Sequence, residues 1–401
     1  MTALRDLLLA PRGIDVEVDY YEQREADCFR SRYRNAAAIE RLAGKTVTIP
    51  VAEFLTYCLF VNKRAELPRL ASYPAIKATL EDRLADFDDG LEITTRSLRT
   101  RLTGNDQVSD LSHKIGTGIA LSVTNRLTRL NEADWNRMSV TSTKAEDFWF
   151  ASQRTGHVQV EAKGSSVVDH SQAKPETVRN HAASIRGKFE ESEKRDGNFP
   201  VTRYGVIGSV DQRPDSVMQS WLVDPPEGAL NRAPGDQQIL NRLSFVAEVL
   251  TSMRGVDAIT LEIYRRIAEL AQTDDISAYQ GNALPGSGSS WIESLLHILP
   301  HDRDRTFFGT ILRLKDGMQL FYGIKTEWIK AVHAQNFEAL LALDYRPTSE
   351  ELRIEVPADF QIPPREEKRG NGTKVDSNQK SLSHGLFHTA SSGRVFGAVG
   401  V

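Results

Sequence analysis

Residues 158 to 163, Val158-Gln159-Val160-Glu161-Ala162-Lys163, alternate apolar and polar side chains without a break. A period of two belongs to a β-strand: it sends Val158, Val160 and Ala162 to one face and Gln159, Glu161 and Lys163 to the other. Just upstream, Phe148-Trp149-Phe150 is an aromatic run suited to a neighbouring strand. Between the two, Gln153-Arg154-Thr155-Gly156 supplies turn chemistry, with Gly156 free to take a positive φ. The pattern predicts a hairpin, with Gly164 and Ser165 closing its second strand.

Asp147 stands immediately before the aromatic run, and Glu161 follows it by fourteen residues. The predicted hairpin brings Asp147, Glu161 and Lys163 to adjacent strands at one end of a sheet. Two carboxylates and an amine there suit a divalent cation and a positioned water. Mg²⁺ prefers oxygen ligands and needs only one or two carboxylates besides water and substrate phosphate. A bound cation activates water and stabilises charge on a phosphate, and a lysine beside it can orient that water. The chemistry expected is hydrolysis of a phosphodiester.

On these residues the chain resembles the PD-(D/E)xK, or restriction-endonuclease-like, nuclease superfamily, over roughly residues 110 to 225. Asp147 matches the first acid, Glu161 the second and Lys163 the lysine. The resemblance implies a mixed sheet flanked by helices (an α/β, or α+β, fold). It also implies cleavage of nucleic acid, DNA first, with Mg²⁺ or Mn²⁺ held by Asp147 and Glu161. A restriction or phage-defence role is the natural setting. In several branches a polar or basic side chain near the next helix joins the site, and Gln172 and Lys174 are the nearest by position. The pattern departs from the family at Glu146, where proline is common, and in the preceding helix, which lacks an acid at its middle. The competing interpretation is an exposed strand whose Glu161 and Lys163 form a surface ion pair worth under ~1 kcal/mol. Glu366 and Lys368 repeat the spacing, but in a polar stretch with no strand around it.

A formal net charge of −4 argues against a nucleic-acid coat over the whole surface and leaves room for a local basic groove. Thr94 to Ala145 is the candidate: Arg96, Arg99, Arg101, Lys114, Arg126, Arg129, Arg137 and Lys144 stand against Asp106, Asp110, Glu132 and Asp134. No apolar run approaches the ~20 residues of a membrane span. The Leu7-Leu8-Leu9-Ala10 run is too short for an export signal. Cys28 and Cys58 lack metal or redox spacing, so reduced thiols in a cytoplasmic protein are expected.

At 401 residues, two or three units are expected. Residues 1–104 are rich in helix formers, notably Tyr20 to Leu42, Pro50 to Phe60 and Ala75 to Leu91, and are assigned a helical accessory region. Residues 105–228 are assigned the nuclease core. In it, Gly116 and Gly118 fit neither the dinucleotide nor the phosphate-loop fingerprint, so close packing of a helix on the sheet is expected. A helix from Pro175 to Glu193 carries a stripe of Val178, Ala182, Ile185 and Phe189, and strands at Tyr204–Gly208 and Ser220–Asp224 complete an αββαβ-like order. Residues 229–362 are assigned helices and an Asp-Gly hairpin at Lys315–Met318, with a helix over Glu327–Leu343. Residues 363–401 are assigned a disordered tail.

The expected function is a Mg²⁺-dependent endonuclease. A non-catalytic scaffold that keeps the fold for nucleic-acid or protein contact is the alternative, and a homodimer or a partner protein is open in either case.

Overall fold

A computed structural model describes residues 3–9, 12–32, 36–61, 73–102, 105–137, 148–152, 156–167, 174–192, 199–223, 228–230, 233–253, 255–286, 288–314, 317–357, 360 and 380–400. The chain divides into two units, residues 1–70 with 78–245, and residues 71–77 with 246–401.

The first unit is built on a mixed sheet. Its elements in chain order begin with α1 (Ala3–Leu9), β1 (Ile14–Tyr20), α2 (Gln23–Arg32), α3 (Ala36–Leu42), β2 (Lys45–Ile49), α4 (Val51–Phe60) and α5 (Tyr73–Gly90). A small β3 (Leu91–Ile93) and β4 (Leu98–Thr100) pair lies apart from the main sheet. There follow α6 (Asn105–Thr128), β5 (Trp135–Arg137), β6 (Phe148–Ser152), β7 (Gly156–Val167), α7 (Glu176–Ser192), β8 (Phe199–Asp211), β9 (Met218–Val223), β10 (Gly228–Leu230) and the first part of α8 (Pro234–Thr251). The strand order is β2-β1-β9-β8-β7-β6-β5, with β10 on β8. β5, β6 and β7 run antiparallel, and β7 and β8 run parallel with α7 as their crossover. The expected α–β–β–α–β order is present as α6, β6, β7, α7 and β8, with β5 added.

Two helices cover opposite faces of β7 and β8. α6 meets the face of Ala162 and Gly164 so closely that backbones touch: a Cβ on Gly116 would lie 2.1 Å from the Gly164 Cα. A Cβ on Gly118 would meet the Cys58 Sγ at 2.2 Å. The glycines are therefore packing residues: Gly116 lets the helix lie close on the sheet, as expected, while Gly118 packs on α4 and both lie inside α6 rather than before a helix. α7 lays Val178, Ala182 and Ile185 on Ile207, Trp221, Val223 and Tyr21, all buried. Each large apolar side chain so buried contributes about 1.5–3 kcal/mol. The hairpin turn closes at Gly156 with φ +75°, the conformation its missing Cβ permits. β7 runs past Gly164 to Val167, because parallel pairing with β8 continues to Val167↔Asp211.

Two expectations about organisation are corrected. Residues 1–104 are not a separate helical region: β1 pairs parallel with β9, from Val16↔Met218 to Tyr20↔Leu222, and β2 pairs with β1. Ile14, Val16 and Val18 are buried while Asp15, Glu17 and Asp19 point outward or lie at intermediate depth, which is strand alternation. The stretch 363–401 is not a tail throughout, since residues 381–399 supply two strands of the second unit.

That second unit holds α9 (Asp257–Gln272), α10 (Gly288–Ile298), β11 (His301–Asp302), β12 (Phe307–Arg313), β13 (Gln319–Lys325), α11 (Thr326–His333), α12 (Phe337–Ala342), β14 (Thr348–Val356), β15 (Ser381–Thr389) and β16 (Arg394–Val399). The strands close into a barrel in the order β11-β12-β13-β16-β15-β14. Its interior packs Phe307, Ile311, Phe321, Ile354, Val356, Phe387, Val395 and Val399. The Asp-Gly hairpin joins β12 to β13 with Gly317 at φ +89°. The expected Glu327–Leu343 helix is broken into α11 and α12 around Gln335, whose φ is +47°.

Candidate functional site

β7 has two unlike faces. Val158, Val160 and Ala162 are completely buried on the α6 side. The other side carries His157, Gln159, Glu161, Lys163 and Ser165 along one strand, beneath α7. The register fixes this assignment: Glu161 pairs with Gly205 and Lys163 with Ile207, and Ile207 belongs to the α7 core. A Cβ on Gly205 would collide with Ile185 of α7, so α7 descends closely beside Glu161.

Glu161 is 0% exposed, and Lys163 donates from Nζ to Glu161 Oε1 at 2.6 Å, its own side chain 19% exposed. A surface ion pair is therefore the wrong description; the carboxylate is desolvated, and such an ion is tolerated only when paired and hydrogen-bonded. One strand over, Arg203 donates from Nε to Gln159 Oε1 at 2.7 Å, both buried. At the other end, Ser165 Oγ and Thr177 Oγ1 lie 2.6 Å apart, and His181 Nε2 lies 2.9 Å from the Gly164 carbonyl. Thr177 and His181 are one turn apart on α7 and share the flank that faces β7.

Of the predicted site residues, the structure brings together Glu161 and Lys163. Asp147 and Gln172 lie outside the described residues. β6 begins one residue after Asp147, and its first residue, Phe148, pairs with Val160, the neighbour of Glu161. Lys174 stands over the Tyr21 ring, 4.9 Å from its centroid, beside Arg186 at 5.1 Å. It precedes the first turn of α7. Desolvation raises the Tyr21 phenol above its ordinary pKa, with Glu22 adding to the rise. Sequence reasoning places His181 in the body of this helix but takes Gln172 and Lys174 as the nearer candidates, and it does not reach Thr177. Their spacing of four along a helix was visible, but only the crossover geometry shows which flank meets β7.

The described members of the basic region are spoken for by the protein. Arg96 pairs with Asp15 at 3.0 Å and Arg99 with Glu92 at 2.6 Å. Lys114 is held by Asp86 and Asp82, Arg101 by the Leu91 and Asp88 carbonyls, and Arg126 by the Thr48 carbonyl. The local charge excess counted along Thr94–Ala145 disappears because Asp15, Asp82, Asp86 and Glu92 come from outside that window. The Arg137 and Lys144 side chains lie outside the described residues.

The opposite face holds a second buried polar group. Asn125 Nδ2 donates to Tyr57 Oη at 2.5 Å and to Glu53 Oε2 at 3.2 Å. Burial, followed by the charges of Glu53 and Glu132, pushes the Tyr57 phenol well above its ordinary range. Asp134 is fixed by Arg242 at 2.5 Å, Gln238 at 2.8 Å and the Asn131 backbone N–H at 3.0 Å. These bonds tie α6 to α4, and the turn ahead of β5 to α8.

Among the described residues no three or more His, Cys, Asp or Glu side chains converge as a metal site. The chemistry of the pair still suits a hard cation. A carboxylate offers about four lone-pair directions, more than a single ammonium uses, and Mg²⁺ needs no all-protein cage. No helix among the described residues is long and apolar enough to cross a membrane. No protein-family model, curated protein or solved structure matches the chain.

Proposed function

We propose that this chain is a divalent-cation-dependent nuclease that hydrolyses phosphodiester bonds of nucleic acid, DNA first, at the α7 face of β7. The observation that carries this reading is the Glu161–Lys163 pair, a desolvated carboxylate and an ammonium 2.6 Å apart on one strand face. The α–β–β–α–β order around it, with β7 parallel to β8, supports the restriction-endonuclease-like fold suggested by sequence.

In this reading Glu161 and Asp147 hold Mg²⁺ or Mn²⁺. The cation, when bound, supplies an acidified water and offsets charge on the phosphate. Lys163 keeps its ammonium against Glu161, so it serves while protonated, donating to the attacking water or to a phosphate oxygen. Water oxygen bonds to phosphorus as the ester P–O bond breaks; the water loses a proton to solvent and the leaving oxygen gains one. The burial of Glu161 beneath α7 lowers the local polarity and strengthens these electrostatic contacts. A restriction or phage-defence setting remains the proposal for its role, with a homodimer or partner protein as the assembly to look for.

A second reading, a non-catalytic binding scaffold, draws on one observation. Glu161 is fully buried and already neutralised by Lys163, which is also how a structural pair is built. Incubating the full chain with Mg²⁺ or Mn²⁺ on single- and double-stranded DNA and RNA separates the two. The nuclease reading expects cutting that Glu161→Ala and Lys163→Ala each abolish. Binding without cutting on every substrate favours the scaffold, and cutting retained by Glu161→Ala puts the active site elsewhere.

A further inference from the structure

The segment that follows Lys163 is held from both faces of the sheet. On the α6 side, a Cβ on Gly164 would lie 1.6 Å from the Ser112 carbonyl oxygen, and one on Gly116 would lie 2.6 Å from the Lys163 carbonyl oxygen. Backbone on backbone leaves no slack there. On the α7 side the contacts are side chains: His181 Nε2 at 2.9 Å from the Gly164 carbonyl oxygen and Thr177 Oγ1 at 2.6 Å from Ser165 Oγ. A carbonyl oxygen only accepts, so His181 Nε2 carries the hydrogen and donates it. Among the described residues, the β6–β7 ladder ends at Phe148↔Val160. From Glu161 onward β7 is described as paired on its β8 side alone, and the α7 contacts act on this stretch.

We propose that His181 is a positioning residue for Lys163: its N–H to Gly164 holds the strand so that the lysine ammonium stays in register with Glu161. The proposal rests on the nuclease reading above and adds a helix residue that acts through the backbone rather than on the substrate. Releasing the Gly164 carbonyl frees residues 163–165 to move away from α6. A displacement of ~1 Å at a reacting group can cost up to ~100-fold in rate. Thr177 cannot take over, because its bond is to the next side chain and not to the peptide.

The test compares the wild type, His181→Ala, His181→Gln and Glu161→Ala as full chains with Mg²⁺ on a DNA substrate, reading kcat and KM separately. Glutamine keeps an N–H donor at a reach close to that of Nε2. The expected result is a fall of about ten- to a hundredfold in kcat for His181→Ala, with KM little changed and most of kcat recovered in His181→Gln. Thermal melting of each variant shows whether the fold is kept. Wild-type kcat in His181→Ala, with Glu161→Ala inactive, overturns the His181 proposal alone. Equal losses in the alanine and glutamine variants, tracking a lowered melting temperature, overturn it in favour of a purely structural histidine. A wild type that does not cut, or Glu161→Ala that does, removes the nuclease reading and this proposal with it.

Discussion

The barrel of the second unit and the α7 face of β7 in the first obey the same strand alternation and bury their inward side chains, Lys163 alone in part. What they bury is opposite in kind. Inside the barrel, Phe307, Phe321 and Phe387 meet ring to ring with centroids 5.3–5.6 Å apart. Gly397 pairs with both Phe321 and Phe387, and Gly309 pairs with Gly323, so rings fill the room that glycines leave. Along β7, the inward positions are His157, Gln159, Glu161, Lys163 and Ser165. The barrel interior converts burial into stability, at about 25 cal/mol per Å² of apolar surface. The β7 face spends burial on desolvating ions and amides, which at best breaks even. A fold keeps such a face only where something other than stability is gained, and this is the physical case for a site on β7 and against one inside the barrel.

Four measurements test that contrast. Phe387→Ala should cost the most, about 3–5 kcal/mol, because Phe387 is 1% exposed and touches both other rings; urea unfolding followed by circular dichroism reads it, and a loss under about 1 kcal/mol would deny the barrel its dry core. Lys163→Ala should cost about 3 kcal/mol by stranding a buried carboxylate, whereas Glu161→Met with Lys163→Met together should leave stability level or higher. If the double variant is as damaged as the single one, the polar face is a structural requirement and the contrast fails. Arg96→Ala should cost under ~1 kcal/mol and leave the salt dependence of any DNA binding unchanged, since Arg96 is already held by Asp15; a flatter salt slope would return it to the phosphate-contacting set. The smallest effect belongs to Glu355 on the barrel's outer surface. A hydrogen bond from Lys380 holds its pKa below the ordinary glutamate value. A depressed carboxylate contributes stability above its unfolded pKa and loses it as pH falls through the folded one. Lys380→Ala should therefore flatten the acid side of the stability profile, below the normal glutamate range, by a fraction of ~1 kcal/mol, because both partners are partly exposed.

Local patterns were readable in advance. The β6–β7 hairpin, the α7 stripe and the Asp-Gly turn each depend on residues within a few positions of one another. So did the shared face of Glu161 and Lys163, though not the depth of their burial, which depends on α7 lying across them. What escaped was set by distant partners or by glycine. Ile14 to Asp19 alternates as cleanly as β7, yet its surroundings are helix-rich, and its partner β9 is just over half the chain away. Ser381 to Val399 reads as polar because Gly385 and Gly397 occupy inward barrel positions and contribute no hydrophobic signal. The arginine-rich stretch misled for a related reason: counting charges along a window omits the acids that folding brings to it.

The parallel pairing of β1 with β9 also sets a timetable. Val16 meets Met218, 202 residues later (218 − 16), so a ribosome adding ~5–20 residues per second finishes β1 roughly 10–40 s before its partner exists. During that interval the edge of β1 that β9 will occupy lies open, with β2, reached through α2 and α3, as its strand neighbour among the described residues. Long-range parallel pairings of this kind fold slowly and leave chains prone to association. Production of this protein should thus be sensitive to elongation speed and chaperone supply, and a chain cut anywhere before residue 218 should aggregate rather than persist as a smaller folded piece.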